Sequence, residues 1–210
     1  EHGYGKRRTL TMAHTRTEPV RKAQEPRTAP RQGEDPSAVW NRCIAAPADH
    51  PYVVQKAGLP DGLRVVPAGD PLRIAAESMA GALVVPVQRR DGTFSSLQFI
   101  ASGDVAARLK AAGKPSKLNL PGASMDGAWL VGAITPTLYL CEGIGQAWAV
   151  WKATGSGALV CFGWGRVRAV AKELREAHPA ARLVLVPDVG KEAEADNIAR
   201  EVRADVAAMP

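Results

Sequence analysis

Two acidic residues each follow a short apolar run in this chain. Glu142 comes after the run TLYLC, and Asp188 comes after the run RLVLVP. In an open α/β sheet, ligands bind beyond the carboxyl ends of the strands, so both acids are expected at one edge of one sheet. Two carboxylates brought together there suit a divalent cation or a proton transfer during phosphate chemistry.

Gly143 follows Glu142 directly, and we expect it to let the backbone turn sharply. Such a turn would make the Glu142 side chain and the start of the next helix face one cleft. Gly143 and Gly145 also match the start of the dinucleotide-binding pattern GxGxxG, but Trp148 occupies the third glycine position. A dinucleotide-binding turn is therefore disfavoured.

The carboxyl-terminal part of the chain alternates short apolar runs with helix-like segments. This alternation predicts an α/β fold with a parallel sheet, flanking helices and right-handed crossovers. The apolar runs are continuous, as expected of strands buried on both faces. The predicted elements are strands at 138–141, 158–162 and 183–186 and helices at 145–154, 167–177 and 192–206.

The order acid-glycine, helix, strand, helix, strand, acid resembles the Toprim domain, the catalytic module shared by bacterial-type primases, topoisomerases and some nucleases. The matching residues are Glu142-Gly143 and Asp188. The resemblance implies that Glu142 is the catalytic general acid or base of nucleotidyl transfer and that Asp188 binds Mg²⁺. In the family a second aspartate follows two positions after the one that matches Asp188, whereas this chain has Gly190 there. The implied magnesium site is therefore weakened.

Charged residues beside Gly190 are candidates to compensate for the missing acid. Lys191 would offer phosphate a positive charge where the family uses a metal ion. Glu192, Glu194 and Asp196 would each supply a carboxylate, although they fall in a predicted helix and only some of them would face the cleft.

Two upstream segments are similar to the region that precedes the Toprim core in bacterial primases. Residues 81–100 (GALVVPVQRRDGTFSSLQFI) contain the dipeptide Asp-Gly, a strong signal for a β-hairpin turn. Residues 116–132 (SKLNLPGASMDGAWLVG) match the primase segment in which Lys, Asn and Pro precede a turn and a short strand. This similarity implies that Lys117 and Asn119 contact nucleic acid or a nucleotide.

The segment FGWGR, residues 162–166, follows the middle predicted strand at the edge where both acids are expected. Trp164 lies between two glycines and near Arg166, an arrangement that can stack a base and contact its phosphate. Packing of this loop against the protein is the alternative. Trp148 and Trp151, three residues apart on a predicted helix, are expected in the core.

Composition divides the chain into three predicted regions. Residues 1–36 are rich in Arg, Lys, Thr, Pro and Glu and are predicted to be a disordered basic linker. Residues 37–134 are predicted to form a small mixed α+β subdomain of the primase N-terminal type, with helices beginning at Ser37 and near His50. Residues 135–210 are predicted to form the Toprim-like domain. The family has a further strand after the last helix, so we expect this domain to be truncated at its C-terminus.

Charge and composition favour a soluble, cytoplasmic protein with a polyanionic partner. The formal net charge is +6 and the pI is about 9.5, and nucleic acid is the simplest polyanion. No apolar run approaches the ~20 residues that span a bilayer. The three cysteines lack metal-ligand spacing, and the four histidines form no nucleophilic triad. A zinc module, a disulfide framework and triad hydrolysis are therefore disfavoured.

The resemblance runs from about Pro51 to the C-terminus and is nearest to the primase-like Toprim proteins of conjugative plasmids and phages. It implies a DNA primase fragment that joins nucleotides into short primers on single-stranded DNA with Mg²⁺. Its partners would be the template, nucleotides and a helicase or relaxase of replication or plasmid conjugation. Two other activities stay open: a catalytically degenerate Toprim module that only binds nucleic acid, and a Toprim nuclease.

Overall fold

The computed structural model describes residues 33–207 of the chain. Nearly all of the predicted linker, residues 1–36, lies outside the described residues. The described part is mixed α/β and belongs to one compact unit. Its helices are α1 (Pro36–Arg42), α2 (Pro51–Gln55), α3 (Gly103–Ala111), α4 (Ile144–Thr154), α5 (Trp164–Ala177) and α6 (Glu192–Val202).

The strands of the described residues form three sheets. Two of these sheets have five strands each and the third has two. The strands are β1 (Ile44–Ala45), β2 (Arg64–Val65), β3 (Arg73–Ile74), β4 (Glu77–Ser78), β5 (Leu83–Gln88), β6 (Phe94–Ile100), β7 (Lys117–Asn119), β8 (Trp129–Val131), β9 (Thr137–Cys141), β10 (Gly157–Val160), β11 (Arg182–Val186) and β12 (Asp205–Val206).

The first sheet is antiparallel, with the order β1-β2-β5-β6-β7. The predicted hairpin joins β5 to β6, and Gly92 in its turn has φ +83°. The second sheet has the order β12-β11-β9-β10-β8, in which β8 alone is antiparallel. Because β8 precedes residue 135, residues on both sides of the predicted domain boundary share this sheet. Strands β3 and β4 pair separately.

The two faces of the second sheet are covered differently. Side chains alternate between the faces of a strand, so Leu138 and Leu140 of β9 pack against α5 and α6. Cys141 lies on the other face, in an apolar cluster that also contains Trp148 of α4 and Val85 of the first sheet. The second sheet is therefore enclosed between α5 and α6 on one side and α4 with the first sheet on the other.

The predicted strands and the first two predicted helices of the carboxyl-terminal part are confirmed within a few residues. They correspond to β9, β10 and β11 and to α4 and α5. Helix α5 begins three residues earlier than predicted, at Trp164. Within residues 33–207, no helix has the length and apolar character needed to cross a bilayer.

The predicted helix 192–206 is wrong at its end, because α6 stops at Val202 and β12 follows it. Arg203 adopts a left-handed conformation with φ +53°, which ends the helix. The Arg175 guanidinium donates hydrogen bonds of 2.8 to 2.9 Å to the carbonyl oxygens of Val202, Arg203, Pro179 and Ala181. The bonds to Val202 and Arg203 satisfy carbonyls that the end of α6 leaves unpaired. No glycine marks this end in the sequence, so periodicity alone extends the helix too far.

The first predicted helix, in which Ser37 caps the run AVWNRCIAA, is also corrected at both ends. Asp35, rather than Ser37, caps α1, because its carboxylate accepts a 2.9 Å hydrogen bond from the Ala38 N–H. Cys43 is extended and ends α1, and the residues that follow form β1. The second predicted helix corresponds to α2, which His50 caps.

Candidate active site

The structure brings the two predicted acids together at the carboxyl edge of the second sheet. Strands β9 and β11 are parallel neighbours, and their last residues, Cys141 and Val186, are paired in register. Glu142 and Asp188 follow these strand ends, so both carboxyl groups lie at this edge. The pKa of Glu142 is raised by partial burial and then by the nearby carboxyl group of Asp188; the charges of Lys117 and Lys191 partly oppose this rise.

Gln146 connects the two acid-bearing segments. Its Oε1 accepts a 2.9 Å hydrogen bond from the Glu142 N–H, and its Nε2 donates a 3.1 Å hydrogen bond to Asp188 Oδ1. Gln146 is the third residue of α4, the position at which Glu or Gln commonly reaches back to a backbone N–H before a helix. This capping pattern was the available sequence signal for Gln146, which the sequence analysis missed.

Lys117 lies above the glycine that follows Glu142. An alanine Cβ at position 143 would lie 3.1 Å from Lys117 Nζ, closer than most real Cβ contacts. Partial burial of the ammonium group and the nearby charge of Lys56 lower the pKa of Lys117, while the charges of Glu142 and Asp188 raise it. Lys117 therefore lies near both acids, although the residue keeps part of its surface exposed to solvent.

The explanation of Gly143 as a sharp turn is wrong. Its φ of −140° and ψ of 165° are extended values that any residue adopts. The absence of a side chain at this position instead leaves room for the close approach of the Lys117 ammonium group.

Helix α2 adds two residues that the sequence analysis did not single out. An alanine Cβ at Gly145 would lie 3.4 Å from both Lys56 Cδ and Tyr52 Oη. Lys56 and Tyr52 therefore border the same end of α4 as Lys117. No motif marks these residues, because Tyr52 lies in α2 and Lys56 directly after it, far from the acids in sequence.

Asn119 belongs to the same face of β7 as Lys117, because the two are separated by one residue. Its Oδ1 accepts a 3.2 Å hydrogen bond from Nε2 of Gln98, a buried residue on β6. Asn119 is exposed and lies on the strand that carries Lys117 into the site.

Trp164 does not reach the site. Its side chain is only 5% exposed and packs in the core beneath α5 with Val167 and Leu185. The prediction that Trp164 stacks a base is therefore wrong, and loop packing, the alternative, describes its position. Arg166 Nη1 pairs with Asp126 Oδ1 at 2.8 Å, at the same edge of the sheet.

The segment after Asp188 forms a tight turn at position 190, where the resemblance leads one to expect a second acid. Gly190 has φ +85° in a turn closed by a 3.0 Å hydrogen bond from the Lys191 N–H to the Asp188 carbonyl. Glu192 Oε1 accepts a 3.0 Å hydrogen bond from the Gly190 N–H, and Glu194 lies 3.9 Å from Lys191 Nζ. Glu192 and Glu194 therefore have partners within their own segment.

The two carboxylates at this edge are a donor set of the kind that Mg²⁺ accepts. Within residues 33–207, no group of three or more His, Cys, Asp and Glu side chains is arranged to hold a metal ion. Magnesium is commonly held by one or two carboxylates, with water and substrate phosphate completing its ligands. Glu142 and Asp188 supply such a pair, and their mutual repulsion is the condition that a bound cation relieves.

Comparison with protein-family models, with curated proteins and with solved structures finds no match for this chain.

Proposed function

We propose that this chain is a Toprim-type primase fragment that joins nucleotides into short primers on single-stranded DNA. One observation carries the proposal: Glu142 and Asp188 lie together where two neighbouring parallel strands end. Lysine side chains border this carboxyl pair, so the site combines a proton-transfer group with positive charge for phosphate. This is the combination that nucleotidyl transfer requires.

The chemistry assigned to Glu142 is proton transfer at the attacking hydroxyl. Its carboxylate accepts the proton of a 3′-hydroxyl while the oxygen forms a bond to the α-phosphorus of a nucleoside triphosphate. The bond from this phosphorus to the pyrophosphate group breaks, and pyrophosphate leaves. A carboxyl group whose pKa is raised takes up protons nearer to neutral pH than an ordinary glutamate does.

In this proposal the residues around Glu142 bind the phosphate groups and orient the two acids. Gln146 holds the Asp188 carboxylate and the Glu142 backbone in fixed relation. Lys117 and Arg166 contact phosphate of the nucleotide or the template, and Asn119 and Lys191 contact the same ligands. Asp188 would hold Mg²⁺, which when bound would supply positive charge against the phosphate oxygens.

A non-catalytic module that binds nucleic acid is the second candidate. The observation in its favour is Gly190, which stands in a left-handed turn where the Toprim pattern has its second acid. The lysines of the site would then bind phosphate without chemistry. A Toprim nuclease would use the same acids to cleave phosphodiesters.

One assay separates these activities. The 210-residue chain is incubated with single-stranded DNA, Mg²⁺ and labelled ribo- and deoxynucleotides. We expect labelled products that grow by addition of nucleotides. Shortened DNA would assign a nuclease, and a mobility shift without any product would assign a binding module; either result contradicts primer synthesis.

Restoring the second acid tests the metal assignment. Gly190→Asp adds a carboxylate where nothing lies within 4 Å of the new Cβ, so we expect tighter Mg²⁺ binding by isothermal titration calorimetry. The positive φ of Gly190 costs the variant about 1 kcal/mol of stability.

Gly92→Asp is the matched control for this substitution, because Gly92 has φ +83° and equal room. We expect it to lose a similar stability without gaining affinity for Mg²⁺. Equal Mg²⁺ dissociation constants for the two variants would contradict Asp188 as a metal ligand.

A further inference from the structure

Helix α2 is held firmly against the site by contacts on three sides. Val53 is buried, and the Tyr52 ring lies 6.0 Å from the Trp148 ring, centroid to centroid. His50 is 4% exposed; its Nδ1 accepts a 3.2 Å hydrogen bond from the Tyr52 N–H, and its Nε2 lies 3.0 Å from the Gly81 carbonyl oxygen. The position of Tyr52, and of the backbone that carries Lys56, is therefore set by packing.

Lys56 and Lys117 converge from separate elements on the residues that follow Glu142. Lys56 Cδ lies 3.4 Å from the Cβ position of Gly145, and Lys117 Nζ lies 3.1 Å from that of Gly143. In the part of the chain that the structure describes, neither lysine has a carboxylate oxygen within 4.0 Å. Two cations are thus held near each other without a close counter-ion.

Partial burial lowers the pKa of Lys117 against the charges of Glu142 and Asp188. The like charge of Lys56 lowers it further, because two ammonium groups repel each other. A bound anion would reverse this effect by lying between them. Since position 145 has no side chain, Lys56 and the Tyr52 hydroxyl lie directly against the start of α4, on the side where Lys117 approaches Gly143.

We propose that Lys56 and Lys117, with the Tyr52 hydroxyl, bind the phosphate chain of the incoming nucleoside triphosphate. This rests on the proposed function, because the phosphate chain must lie next to the carboxyl pair for transfer to occur. Two separated ammonium groups and one hydroxyl suit a ligand that carries several charged oxygens in a row. The first N–H groups of α4 add positive potential on the same side.

The shared chemistry is phosphate, which a nucleotide or a DNA backbone would supply. The test measures binding of inorganic tripolyphosphate and of oligo(dT) separately by isothermal titration calorimetry, without turnover. We expect Lys56→Gln to weaken tripolyphosphate binding about tenfold, because one charge-assisted contact is lost. Oligo(dT) binding is expected to change less than twofold.

Lys110→Gln on α3 removes the same charge from an exposed position and is the matched control. Tyr52→Phe keeps the ring that packs on Trp148 and removes only the hydroxyl, so it tests the ligand without disturbing the fold. A thermal unfolding curve identifies any variant that fails to fold. We expect a measurable but smaller loss of tripolyphosphate affinity for Tyr52→Phe and none for Lys110→Gln.

The outcomes separate this inference from the proposed function. If Lys56→Gln loses equal affinity for tripolyphosphate and for oligo(dT), the lysines bind the DNA backbone and the inference is overturned. Unchanged tripolyphosphate affinity in Lys56→Gln would also overturn it. If the wild-type chain makes no primers yet loses tripolyphosphate affinity in Lys56→Gln, the phosphate site stands and primer synthesis does not.

Discussion

The Glu142→Gln variant is expected to lose primer synthesis by about 10²–10⁴-fold, the usual contribution of a positioned general acid or base. Glutamine has nearly the same shape and cannot take up the proton of the attacking hydroxyl. Binding of single-stranded DNA is expected to remain close to wild type, because the lysines of the site are unchanged. Rates of nucleotide incorporation and mobility shifts measure the two effects.

The same substitution is expected to stabilise the fold. Folding raises the pKa of Glu142, so the protonated carboxyl contributes stability that is full at low pH and is lost as pH rises through the folded-state pKa. Glutamine stays neutral at every pH, so the stability advantage of the variant should grow with pH in buffers that contain a chelator.

Glu176→Gln, an exposed change on α5, is the control and should alter neither activity nor stability. Primer synthesis that persists in Glu142→Gln would remove this residue from the mechanism. If the stability difference between Glu142→Gln and wild type shrinks as pH rises, the pKa of Glu142 is not raised by folding.

The Trp148→Ala variant is expected to lose about 3–5 kcal/mol of unfolding free energy, as is typical when a large buried aromatic residue is removed. Trp148 is 2% exposed and belongs to the apolar cluster that joins the two large sheets. The Gly58 backbone lies directly against its ring, since a Cβ there would come within 2.3 Å of the ring. Urea unfolding followed by circular dichroism measures the loss.

Trp151→Ala on the same helix provides the comparison, because Trp151 is only partly buried. A smaller loss is expected for it. Equal losses for the two tryptophans, or a loss below about 1 kcal/mol for Trp148, would show that the cluster between the sheets does not hold them together.

Much of the parallel sheet could be predicted from the sequence because its signals are local. Strands β9, β10 and β11 are continuous apolar runs, and the intervening helices have clear periodicity. The positions of Glu142 and Asp188 follow from this topology alone, since parallel strands end at one edge. Residues that enter the site from elsewhere, Lys56 above all, depend on tertiary packing that leaves no pattern in the sequence.

Trp164 shows how a local pattern misleads. Its glycine neighbours suggested an exposed loop at the edge of the sheet. In the structure Phe162 and Gly163 adopt φ values of +58° and +126°, and this turn places Trp164 in the first turn of α5, facing the core. Gly163 permits this turn, and the Trp164 ring packs in the core between α5 and the second sheet.

The acids and the lysines of the site belong to different layers of the molecule. Glu142 and Asp188 follow strands of the second sheet, whereas Lys117 lies on the first sheet and Lys56 follows a helix packed beside it. Separation of the two layers would disassemble the site while each sheet kept its own hydrogen bonds. We therefore expect heat to remove the activity proposed for this site before the secondary structure melts.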